Sequence, residues 1–116
     1  MSDNNGWTLY HDYNGEYEEK ICPFLIMTVI FSIKHYKRSE TILSFTESSS
    51  SEKTNITWHR YKVKGNVDYA KKIAENTVKE FENIPIDCDD IDLFFRKTFS
   101  LKKINPRIKF PRLTRR

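Results

Sequence analysis

Taken as a string of hydrophobic and polar positions, the chain is strand-like in its first half and helical in its second. The run Ile21–Lys34, ICPFLIMTVIFSIK, is charged only at its end, and its apolar residues fill both alternating sets of positions. A strand with one wet face shows polar residues at every second place, so this run predicts a central strand buried on both faces. Ser39 to Thr46 predicts a second strand, with Thr41, Leu43 and Phe45 on one face and Ile42 and Ser44 on the other. A third covers Thr54 to Lys64. There Ile56 and Trp58 share one face while Tyr61 and Val63 share the other, and a bulge at His59 or Arg60 would restore a single apolar face. The serine run between Glu47 and Glu52 reads as a solvated loop. Near the start, Trp7 to Tyr13 is a candidate edge strand turned back toward Tyr17 by Asn14-Gly15, a pair that supplies the positive φ angles of a tight hairpin.

The pattern changes period after Gly65. Ala70, Ile73, Ala74, Thr77, Val78 and Phe81 form one apolar stripe at helical spacing, so a helix capped by Asn66 is expected to run to about Glu82. Asn83-Ile84-Pro85 stops it. Asp87 then caps a second helix ending near Ser100, with Ile91, Phe94, Phe95 and Phe99 as its buried residues. Asp87, Asp89, Asp90 and Asp92 gather at the positive end of that helix, and Arg96 and Lys97 toward its negative end, as its dipole favours.

Strands followed by helices define an α+β domain. The expectation is an antiparallel sheet of three to four strands over residues 1–100, with residues 1–20 as an acidic, aromatic N-terminal segment. The amphipathic helix packs on one face, the short second helix follows, and residues 101–116 form a basic, extended C-terminal arm. The other sheet face would be covered by the second helix, by the N-terminal segment or by a partner.

Charge sharpens the picture of the arm. From Arg96 onward there are nine basic side chains and no acid, whereas the preceding residues hold eleven basic and sixteen acidic ones, so the net charge of +4 divides into +9 and −5. An acid-free stretch with Phe99 and Phe110 among its cations suits a polyanion backbone. The expected phosphate contacts are Lys102, Lys103, Arg107, Lys109, Arg112, Arg115 and Arg116. The bland alternative is a solvated tail, or one folded back onto the carboxylates of the N-terminal segment and of Asp87–Asp92. A second candidate surface is a stacking platform built from Trp58 and Arg60 with Tyr61 nearby, although core burial is the usual fate of an indole.

Other chemistries find little support. His11, His35 and His59 lie in separate segments without metal-ligand spacing, and the aspartate cluster lacks the glycine and terminal glutamate of a calcium loop. Cys22 stands in an apolar run and Cys88 among carboxylates, surroundings that disfavour a thiolate. Three glycines, Gly6, Gly15 and Gly65, cannot make a phosphate-cradling loop. No cofactor, metal or catalytic residue is expected. The apolar run of about thirteen residues falls short of the roughly 20 a membrane helix needs, and the polar, acidic N-terminus is unlike a signal peptide. The sequence therefore predicts a small, non-enzymatic, intracellular accessory protein, cytoplasmic or nuclear. It would bind DNA or RNA through the basic arm with little sequence specificity, and removal of residues 101–116 would leave the fold intact. The alternative is a protein-interaction subunit, completed at its apolar sheet face or edge by a partner or by a second copy.

Overall fold

The computed structural model describes residues 6–13, 15–36, 40–48 and 56–109. Its elements are β1 (Thr8–Asp12), β2 (Gly15–Pro23), β3 (Thr28–Tyr36), β4 (Glu40–Glu47), β5 (Ile56–Val63), α1 (Val67–Glu80), α2 (Cys88–Thr98) and β6 (Lys102–Lys109). The strands form one six-stranded sheet in chain order, and every neighbouring pair is antiparallel. The α+β class with an antiparallel sheet followed by two helices holds, with six strands in place of three to four.

Two of the additional strands have clear physical origins. Ile21–Lys34 is a hairpin and not one strand: β2 ends at Pro23, β3 starts at Thr28, and the chain reverses through a Phe24 N–H donating to the Met27 carbonyl at 2.7 Å. Proline has no N–H for the ladder, which is why it stands at the strand's end. The reversal is hidden in the hydropathy pattern because its own residues are apolar; Leu25 and Ile26 remain exposed at the tip. The second addition is β6. The first half of the expected arm pairs with β5 along its length, with Lys62 opposite Lys102 and Ile56 opposite Lys109. Pro106 fits because the ladder is irregular there: Arg60 faces Ile104 and Trp58 faces Arg107, so two β6 residues oppose the single residue His59.

That irregularity also corrects the reading of β5. The extra residue belongs to β6, so β5 keeps its alternation and Trp58 and Tyr61 stay on opposite faces. Tyr61 joins the core with Val29, Phe31, Ile33, Leu43 and Phe45, against Ala70, Ile73 and Ala74 of α1 and Ile91 and Phe95 of α2. Phe95 meets both Phe45 and Tyr61 edge-on, at ring centroid distances of 5.6 and 5.0 Å. Both helices begin as their sequences predict. The Asn66 side chain accepts from the Tyr69 N–H, and Asp87 and Asp90 form a reciprocal capping box.

The two faces of the sheet differ. Along β3, Val29, Phe31 and Ile33 are fully buried beneath the helices, while Ile30, Ser32 and Lys34 are only half-buried on the reverse side. The central strand is thus apolar on its helix face alone. The reverse face of the sheet is more polar and carries the cleft described next, although Glu19, Ile42, Thr46 and Trp58 on it are buried.

Candidate nucleic-acid interface

The structure separates the expected phosphate contacts into three groups. Lys102 is exposed and stands opposite Lys62, at the start of the edge strand β6. Arg107 and Lys109 lie further along the same strand, opposite Trp58 and Ile56. Arg112, Arg115 and Arg116 lie outside the described residues, as do Phe110 and the serine loop. Lys103 falls on the helix face, opposite Tyr61, and is engaged elsewhere.

Its partner is Asp92 of α2. Lys103 Nζ lies 3.4 Å from Asp92 Oδ1, and Arg96 Nη2 lies 3.0 Å from Oδ2 one helical turn away. The buried Tyr61 hydroxyl donates to the same carboxylate. Burial alone would raise the Asp92 carboxyl, but Tyr61, Lys103 and Arg96 together outweigh it and hold the group below the ordinary carboxylate value. Burial and then the hydrogen bond to Asp92 push the Tyr61 hydroxyl far above the usual phenol range. One carboxylate thereby fastens β5, α2 and β6 together. The aspartate cluster does attract the basic segment, through this one residue, and Lys103 serves the fold.

On the reverse face, the register aligns Glu19 with Ser32, Ser32 with Ser44, and Ser44 with Arg60. Two small residues in the middle of a row flanked by long ones leave a hollow. The cleft over them has a volume of about 210 Å³ and is bounded by side chains from Asp12 of β1 to Arg60 of β5. In a flat sheet β1 and β5 would be about 19 Å apart, so the lining spans most of the width of the sheet. Trp58, though only 4% exposed, is therefore a wall of this cleft and lies outside the helix-side core.

Charges around the cleft are mixed. Lys34 pairs with Asp12 at 3.1 Å and sits 5.8 Å from the ring centres of both Tyr17 and Tyr36. Lys62, next along β5, pairs with Glu40 at 3.3 Å. Among the described residues Arg60 has no hydrogen-bond or ion-pair partner, so its guanidinium is the cation of this wall left open to a ligand. The anticipated platform of Trp58, Arg60 and Tyr61 is thus split: Trp58 and Arg60 share the cleft, and Tyr61 lies behind the sheet.

The chain matches no protein-family model, no curated protein and no solved structure.

The remaining reactive side chains are dispersed. His11 is an exposed neighbour of Glu16, His35 Nδ1 is 2.9 Å from the Thr41 hydroxyl, and His59 stacks on Phe45. His35 and His59 flank opposite ends of β4 and are not cross-strand neighbours. Burial, and then the nearby Lys103, lower the His59 pKa from its ordinary value. Burial pushes the Cys22 and Cys88 thiols up to about 11. Among the described residues no group of three or more His, Cys, Asp or Glu could hold a metal ion, and no helix is long and apolar enough to cross a membrane. The sequence reading passed over Tyr17, Glu19, Ser32 and Lys34 as site residues. Their signal was present in β3, where Thr28, Ile30, Ser32 and Lys34 form a visibly more polar set than Val29, Phe31 and Ile33.

Proposed function

We propose that this protein is a non-enzymatic, intracellular nucleic-acid-binding accessory module that gathers a phosphate backbone along β6 and the adjacent part of β5. The supporting observation is the composition of that edge: β6 carries Lys102, Lys103, Arg107 and Lys109 in eight residues without an acid, and Arg60 and Lys62 lie opposite it on β5. In sequence, Arg112, Arg115 and Arg116 continue the same acid-free stretch. Cations at strand spacing along the last strand of the sheet match the repeating charge of a polyanion, and binding then proceeds by release of counterions with little sequence discrimination. With Lys103 held by Asp92, the contacts assigned to the backbone are Lys102, Arg107, Lys109 and the three terminal arginines.

Because β6 belongs to the sheet, charge removal is a cleaner test than truncation. A Lys102→Gln, Arg107→Gln, Lys109→Gln variant should keep the wild-type circular dichroism spectrum and lose roughly tenfold or more of its affinity for a 12-nucleotide strand at low salt. Unchanged affinity would assign these cations instead to guarding an open sheet edge against pairing with other chains.

A second reading is favoured by a separate observation. Leu25 and Ile26 at the β2–β3 tip and Ile21 on β2 are 56%, 65% and 64% exposed. Self-association through that hairpin would appear as a dimer in light scattering, abolished by Leu25→Ser with Ile26→Ser.

A further inference from the structure

We propose that His59 is a proton-operated latch on β6: the neutral ring lets the strand seat against β5, and the protonated ring loosens it locally at its bulge. The latch acts on the strand that the nucleic-acid reading uses, but it is a property of the fold and is testable without a ligand.

Register places the ring at the weak point of the ladder. Arg60 stands opposite Ile104 and Trp58 opposite Arg107, so Asn105 and Pro106 together face His59 alone. A bulge leaves its extra residue unpaired, and proline has no N–H to give, so β5 holds β6 less firmly here than on either side. β6 is also the last strand of the sheet, with β5 as its strand neighbour. The ring itself is confined. It stacks on Phe45 of β4 with centroids 4.9 Å apart and planes 18° apart, and its Nδ1 is buried without a hydrogen-bond partner among the described residues. A neutral imidazole tolerates this, because its one proton can sit on Nε2 and leave Nδ1 bare. A protonated imidazole carries an N–H on both nitrogens, and a buried donor left unpaired is costly, more so when it is charged.

Charges reach the ring from two elements. Lys103 of β6 repels a protonated His59, Asp92 and Asp89 of α2 attract it, and β4 contributes the uncharged ring of Phe45. Asp92 is already engaged by Lys103, by Arg96 and by the hydroxyl of Tyr61, two residues along β5 from His59. Burial and Lys103 outweigh the two acids and keep the ring neutral in the closed fold at pH values where a solvated imidazole is protonated. A proton is therefore accommodated by displacement. The ring leaves Phe45 for water, and the bulged part of β6 beside it gives way. Because opening takes up the proton, the closed strand loses stability as pH falls from the ordinary 6.5 to the lower folded value, by up to about tenfold per pH unit, and loses no more below it.

The experiment measures amide hydrogen exchange of the full chain from about pH 7.5 to about pH 5, corrected for the intrinsic pH dependence of exchange, on wild type and His59→Gln. The ring nitrogens of His11, His35 and His59 are titrated in parallel by nuclear magnetic resonance. In wild type the amides of Lys103, Ile104 and Arg107 should lose up to about tenfold in protection per pH unit, following the titration of His59, while α1 and β3 keep theirs. His59→Gln cannot take up the proton and should hold one corrected rate in β6 across the range. If that variant does not fold, the match between the β6 transition and the His59 titration in wild type decides alone. Unchanged protection of β6, a loss that persists in His59→Gln, one that follows His11 or His35, or one spread evenly over α1 and β3 overturns the latch. Each of these results leaves binding by the cations of β6 to be judged by its own test.

Discussion

Asp92 shows most clearly how one side chain can hold several elements. Read from the sequence it is one of four helix-capping acids, and Asp87 and Asp90 do cap α2. Asp92, one turn further on, faces inward and accepts from Tyr61 while pairing with Arg96 and Lys103. Charge counting could not separate it from its neighbours, because the separation depends on which residue of the helix meets β5. Tyr61→Phe should cost about 1.5–3 kcal/mol, the range for a hydrogen bond to a charged group, read as a lower urea midpoint at constant m-value. The pH dependence of stability should show two windows. His59 has a folded-state pKa below 6.5, so its contribution is complete above that pH and is lost as pH falls through the lower folded value. Asp92 lies below 3.8, and its contribution disappears in the same sense in more acid solution. In urea titrations at several pH values, His59→Gln should remove the first loss and retain the second.

At the scale of elements, both helices were legible because a stripe at period 3.6 with a capping residue ahead of it has few alternative readings. The strands were only partly so. β4 and β5 follow their alternation, but the β2–β3 reversal is built from Phe24, Leu25, Ile26 and Met27, so hydropathy runs straight through it and Pro23 is the only local sign of a break. β6 was concealed by its charge: an edge strand presents its outer side to water and tolerates lysine and proline, which makes it resemble a solvated arm. Its membership of the sheet reverses one expectation. A chain ending at Ser100 should not keep the fold intact, since Leu101 is a core residue and β5 would lose its ladder partner. The expected result is a loss of about 3 kcal/mol or more in urea denaturation, together with self-association in size-exclusion chromatography as the β5 edge becomes free.

Across the whole molecule, acidic residues collect on β1 and β2, with Asp12, Glu16, Glu18 and Glu19, and basic residues on β5 and β6. The reverse face between them runs from one sign to the other, with the cleft in its middle. Under the proposed function this gradient is what would orient a polyanion, with phosphate attracted at the basic edge and repelled at the acidic one. It was half visible in the sequence, which shows the +9 and −5 division but not that the sheet carries its acidic and basic ends to opposite edges. The proposed function puts the phosphate backbone on the β5–β6 half of the reverse face. Its most direct test is a nitrogen-15 correlation spectrum of the full chain titrated with a short single strand. Shifts are expected at the Trp58 indole and at the amides of Arg60, Lys62, Lys102, Ile104 and Arg107, with α1 unperturbed. Shifts confined to α1, α2 or the Leu25–Ile26 tip, or no shifts at all, would contradict it.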